Sequence, residues 1–271
     1  MGKFFDLDSP LMRVLTRVAD IMILNLLTLL FALPLIFEQV FFLYPVYRAL
    51  MDTPDTVDLQ AYLGLIVLAW LAGIICSIPL GPACTGMHYV LLKMVRDEDS
   101  YIAKSFFKSF KENFKQGVIL QAIKFTVAGI LFLDYILMLG RNTIYGYIVI
   151  AFSLILYMAS LYTFPLLSKF VNTIFGTIKN SFLMAVLALP KTILMAVVTG
   201  IPLLILYFFD LRAVPVLILV GIAGPGYLLA MLYNKTFKRF EPKEEDLSEE
   251  EELDAAIRKI DEGLENDTEK E

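Results

Sequence analysis

Long apolar stretches recur along this chain, each about the length of a membrane-crossing helix and each bounded by charge or by turn-forming residues. The first runs over residues 21–37, interrupted only by Asn25 and Thr28, and others follow over 61–80, 117–139, 144–167, 192–209 and 213–233. Each is close to the roughly 20 residues a helix needs to cross about 30 Å of hydrocarbon. Only a helix or a closed barrel satisfies its backbone polar groups there, and these runs are too long for barrel strands. The pattern therefore predicts an all-α, polytopic transmembrane helix bundle of about six spans. Residues 1–20 form an N-terminal segment, 21–233 the bundle and 241–271 a polar tail. The segment Gly81 to Val95 reads as a continuation of the second span beyond a kink at Pro79 and Gly81-Pro82.

Two stretches depart from uniform apolarity. Residues 101–116, YIAKSFFKSFKENFKQ, place Ile102, Phe106, Phe110 and Phe114 four apart, with Lys104, Lys108, Lys111 and Lys115 on the opposing face. That spacing predicts an amphipathic helix lying on the inner leaflet, where anionic lipid is the nearest partner and a protein groove the alternative. Nucleic acid is not expected, because the segment adjoins a membrane span. In the tail, Ser248 and Glu251 form a capping-box pattern ahead of Leu253, Ala256, Ile257, Ile260 and Leu264, which predicts one short amphipathic helix.

Composition sharpens this picture. Of 271 residues, 58% are hydrophobic and only 19% charged, with a mean hydropathy of +0.70, well away from an average soluble domain. The formal charge of −5 hides an asymmetry, because from Glu241 onward the tail holds 15 acidic and 4 basic residues, leaving the preceding 240 at +6. Lys and Arg in the connections give the orientation. One side carries 15, in four clusters around residues 3–17, 93–115, 169–191 and 235–239, while the other has only Arg48, Arg141 and Arg212. Cationic segments are retained on the cytoplasmic side, so both termini are expected there.

The inventory narrows the chemistry. With one histidine, His88, and two cysteines, Cys76 and Cys84, no multi-histidine or four-cysteine metal centre is available. The cysteines lie about 12 Å apart along a continuous helix, beyond disulfide reach, and two free buried thiols are expected. No Gly-x-Ser-x-Gly elbow accompanies His88. Neither an enzyme nor a cofactor is expected. The polar residues that stand out inside apolar runs are Asn25, His88, Lys124, Asp134 and the neighbouring Arg141. Asn25 reads first as an interhelical hydrogen-bonding group and His88 as hydrogen-bonded or interfacial. Lys124 reads as a snorkelling cation, and Asp134 with Arg141 as an interfacial pair or part of a solute vestibule.

Two segments carry a resemblance. FFDLDSP at Phe4 to Pro10, with Arg17 and Asp20 before the first span, and Gly81 to Gly117, beginning GPACTGMHYVLLKMVRDEDS, resemble the signature segments of the YesL-like family of bacterial integral membrane proteins. The later spans match only by pattern, including FPLLSKF at Phe164 to Phe170, and about 30 residues from Glu38 to Gly64 read as an insertion. The resemblance implies an accessory or regulatory membrane component associated with ABC-type carbohydrate uptake, and it brings no catalytic residues. The alternative is a permease that itself conducts a small solute and meets an ATPase through the connection holding Gly176 and Leu189-Pro190, although the Glu-Ala-Ala of such coupling loops is missing.

Overall fold

The computed structural model describes residues 10–52, 58–98, 101–138 and 143–241. The chain divides into a unit ending at Lys235 and a second beginning at Thr236, of which only residues 236–241 are described. The tail helix expected after Ser248 and the charged residue Arg141 lie outside the described residues. Every regular element among the described residues is helical.

Helix α1, Pro10–Asp52, runs 43 residues without a break, about 64 Å at 1.5 Å per residue. This corrects the expected first span of 21–37. Glu38 and Gln39 do not open a loop, because the chain keeps its helical register through Pro34, through this pair and on through Pro45. Only about half of α1 is needed to cross the hydrocarbon, so a substantial part projects beyond it.

A short 3-10 turn, Leu59–Tyr62, leads into α2, Leu63–Cys76, and α3 follows as Leu80–Val95. Between them, Ser77 to Pro79 turn the chain where Pro79 and Pro82 have no N–H to give to the carbonyls of Ile75 and Ile78. Helix α4, Ile102–Glu112, is separated by a single residue from α5, Phe114–Met138. Asn113 makes the junction, its Nδ2 donating to the carbonyl of Ser109 at 3.1 Å. Phe114 and Lys115 therefore belong to α5 rather than to the expected amphipathic helix of 101–116.

Then come α6, Thr143–Ser160, and α7, Thr163–Lys169, split by a turn within the expected span 144–167. They are followed by α8, Ile174–Leu187, capped by Thr173 Oγ1, and α9, Leu189–Phe209. The last pair is α10, Val214–Val220, and α11, Ala223–Phe237. These two replace the single expected span 213–233. Pro225 cannot donate to the carbonyl of Gly221, four residues earlier, so the helix stops and restarts there.

Among the described residues, five stretches are long and apolar enough to cross a membrane: 11–52, 59–76, 114–138, 143–169 and 189–220. At most 22% of the most apolar window in any of them is buried inside the protein. Apolar surface on this scale is not tolerated in water and is expected against acyl chains. The protein is a membrane-embedded helical bundle in contact with lipid.

The interior is concentrated around α3, which packs on α1, α4, α5 and α7. Eleven of its sixteen residues are buried, among them Gly81, Ala83, Thr85 and Gly86. Small residues let backbones close up. A Cβ placed on Gly81 would stand 2.2 Å from the Gly117 carbonyl oxygen on α5. At the far end, Val46, Ile66 and Ile136 of α1, α2 and α5 form a second small core.

Candidate functional site

The polar residues inside the bundle fall into three groups. The first ties the helices around α3 together. Asn25 on α1 is fully buried at the α10–α11 break. Its Nδ2 donates to the Ile218 carbonyl at 2.7 Å, and its Oδ1 accepts from the backbone N–H groups of Ile222 and Ala223, each at 2.7 Å. One side chain thus satisfies the orphaned end of one helix and the orphaned start of the next. His88 on α3 lies 3.2 Å through Nδ1 from the hydroxyl of the fully buried Tyr233 on α11, and Arg96 Nε donates to Asn234 Oδ1 at 2.9 Å.

The C-terminus of α3 is closed by a Schellman motif, with Glu98 N–H on the Lys93 carbonyl, Asp97 N–H on the Met94 carbonyl, and Asp97 left-handed at φ 55°. Arg17 of α1 grips this end, donating to the Met94 carbonyl and pairing with the Asp97 carboxylate. Asn25 and His88 therefore hold the scaffold together, and nothing in their geometry offers either to a solute.

The second group is α4. Its lysines Lys104, Lys108, Lys111 and, just beyond it, Lys115 are exposed. Its aromatic face is not the lipid-facing surface expected from the sequence. Phe106 is fully buried, with its carbonyl and ring against Gly86 of α3, and Phe31 of α1 packs on the rings of Phe106 and Phe110, at 6.1 and 4.7 Å between centroids. Periodicity reveals an apolar face without saying what covers it. Here the absence of a side chain at Gly86 makes the socket. Phe114, on α5, remains exposed.

The third group lies between α5, α6, the start of α7 and α8, around a cavity of about 640 Å³. Its walls are mostly Leu, Ile, Val and Phe. Lys124 opens into it, with Nζ 5.4 Å above the ring of Phe164. Among the described residues, no carboxylate comes within ion-pair distance of Lys124. Asp134, near the other end of α5, accepts a 2.8 Å hydrogen bond from the hydroxyl of Tyr145 on α6. Its expected partner Arg141 is outside the described residues, and Asp134 does not line the cavity.

Sequence reasoning missed a polar pair on α1. Gln39 Nε2 donates to its neighbour Glu38 at 2.8 Å and to the Ala69 carbonyl on α2 at 3.1 Å. Glu38 Oε1 and Trp70 Nε1 are buried without a hydrogen-bond partner among the described residues. The signal was present, since a Glu-Gln pair between two apolar runs costs too much in lipid unless it faces protein. The grip of Arg17 on Asp97 spans 80 positions and left no local trace. Both cysteines are free and half-buried rather than fully buried. Among the described residues no three His, Cys, Asp or Glu side chains cluster to hold a metal.

Residues 21–135, which take in most of α1 and all of α2, α3 and α4 and nearly all of α5, match the family model described as "Protein of unknown function, DUF624". No curated protein and no solved structure matches the chain.

Proposed function

We propose that the protein is an accessory component of a membrane assembly serving carbohydrate uptake, lying in the bacterial plasma membrane with both termini cytoplasmic. The resemblance of Phe4 to Pro10 and Gly81 to Gly117 to YesL-like proteins supplies the association with uptake. The excess of Lys and Arg on one side supplies the orientation.

The observation that carries an assembling role is the α7–α8 connection. Val171 is wholly exposed and Phe175, in the first turn of α8, is 84% exposed, on a segment bracketed by Lys169 and Lys179. Two large apolar side chains presented between cations on a connecting segment make a docking knob for a partner with an apolar socket and acidic rim. The permease alternative has less support. A sugar needs several convergent hydrogen-bonding groups, whereas the hydroxyls of the main cavity are spread along a mostly apolar wall, and Ser153, Ser160 and Ser181 each already donate to a backbone carbonyl of their own helix.

Affinity purification of the full chain in mild detergent is expected to bring down transporter subunits, and V171E with F175E together should release them while the thermal midpoint stays put. If no transporter subunit co-purifies, or if the purified chain alone moves sugar into liposomes, the accessory reading is wrong.

A further inference from the structure

The cavity between α5, α6 and α8 is polarised along its length. On α5 its wall is the stripe Leu120, Ile123, Lys124, Val127, Ala128, Leu131, continuing to Tyr135. This helical face is about 22 Å long at 1.5 Å per residue, comparable with the greater part of a hydrocarbon core of about 30 Å. Its one charge lies toward one end, while Ser153, Tyr157 and Tyr135 add single hydroxyls farther along. Lys124 stands at that end with Ser160 from the end of α6, Thr163 from the start of α7 and Ser181 from α8. The other end, around Leu131, Phe132, Val149 and Ile150, is largely apolar, with Tyr135 at its edge.

The two serine hydroxyls at the Lys124 end are already occupied as donors. Ser160 Oγ donates to the Tyr157 carbonyl at 2.8 Å and Ser181 Oγ to the Thr177 carbonyl at 2.7 Å. Lys124 is different, since its ammonium stands over the Phe164 ring and, among the described residues, no carboxylate comes within ion-pair distance of it. An ammonium within an apolar helix is costly until an anion meets it.

We propose that this cavity is a binding site for an anionic phospholipid, with one acyl chain along the α5–α6 groove and the headgroup phosphate on Lys124. The volume of about 640 Å³ lies within the roughly 300–1,000 Å³ usual for ligand pockets. The charge at one end and the long apolar remainder match an amphiphile better than a sugar or an ion. The recess is sunk between helices of one chain, so a lipid chain enters it more readily than a partner helix about 10 Å across. Lipid held here packs α5 against α6 and α8, whatever the protein is assembled with, so the site stands apart from the uptake reading.

The test uses the full chain in phosphatidylcholine vesicles doped with a diazirine-bearing phosphatidylglycerol or a phosphatidylcholine of identical chains, with labelled peptides mapped by mass spectrometry. Labelling of the α5 and α6 peptides is expected to favour phosphatidylglycerol by about tenfold, as a charge-assisted contact gives. K124Q should remove the preference and K124R should keep it, while A128W, filling the groove, should lose both labels there. Equal labelling by the two lipids in the unaltered protein overturns the proposal without any variant having to fold, and so does a preference that survives in K124Q.

Discussion

Helices α3 and α9 are both apolar, yet eleven of sixteen residues are buried in α3 and only Thr192, Met195 and Val198 among the twenty-one of α9. The more continuously apolar helix is the more exposed one. In water this would be inverted, since burial there follows apolarity. In lipid a Leu or Phe gains nothing by leaving the acyl chains, and contact between helices is decided by close approach and by polar groups that need partners. Helix α3 has both, in Gly81 and Gly86 and in Thr85 and His88, whereas the outer half of α9 is built from Leu, Ile, Tyr and Phe, with Leu203, Tyr207 and Phe208 all at least 70% exposed.

Breaking that contrast should be easiest at its glycines. G81L drives a side chain into the Gly117 carbonyl, 2.2 Å from the first added carbon, and is expected to cost about 3 kcal/mol or more or to abolish folding. G200L on α9 meets nothing within 4 Å and should shift stability by no more than about 0.5 kcal/mol. Thermal unfolding of both in the same detergent reads the difference directly, and equal effects would remove the distinction between the two helices.

A smaller effect is expected at the α10–α11 break. N25L leaves the N–H groups of Ile222 and Ala223 and the carbonyl of Ile218 without their partner, at about 2 kcal/mol. An unchanged midpoint would mean that these groups find other acceptors. Smaller again is Y233F, which removes the hydroxyl facing His88 and should cost about 1 kcal/mol. H88F should cost a similar amount, and the double variant should cost less than the sum of the two, because the side chains share one contact.

The same contrast explains what could be read in the sequence. Helices dominated by lipid contact announce themselves through length and apolarity, so α5 and α9 were legible almost to their ends, and α6 up to the turn that separates it from α7. Helix α1 was not, because Glu38 and Gln39 resembled the edge of a span. Only the packing of Gln39 on the Ala69 carbonyl shows why they are tolerated within one. The central place of α3 was also hidden, since Gly-Pro and small residues read as a kink when no neighbour is visible. For α4 the amphipathic period was plain, but the socket at Gly86 and the ring of Phe31 lie far away in the chain. At the cavity, Lys124 stood out as an intramembrane cation. The apolar groove beside it depends on how α5, α6 and α8 diverge, which no local pattern encodes.

The division between a protein-facing α3 and a lipid-facing α9 can be measured without altering a residue. The full chain is reconstituted in bilayers containing a lipid with a photoactivatable carbene precursor in its acyl chain, illuminated, digested and mapped. Label is expected along residues 197–209 of α9 and on the outer face of α6, with residues 80–95 of α3 almost free of it. Labelling of α3 comparable to that of α9 would contradict the account.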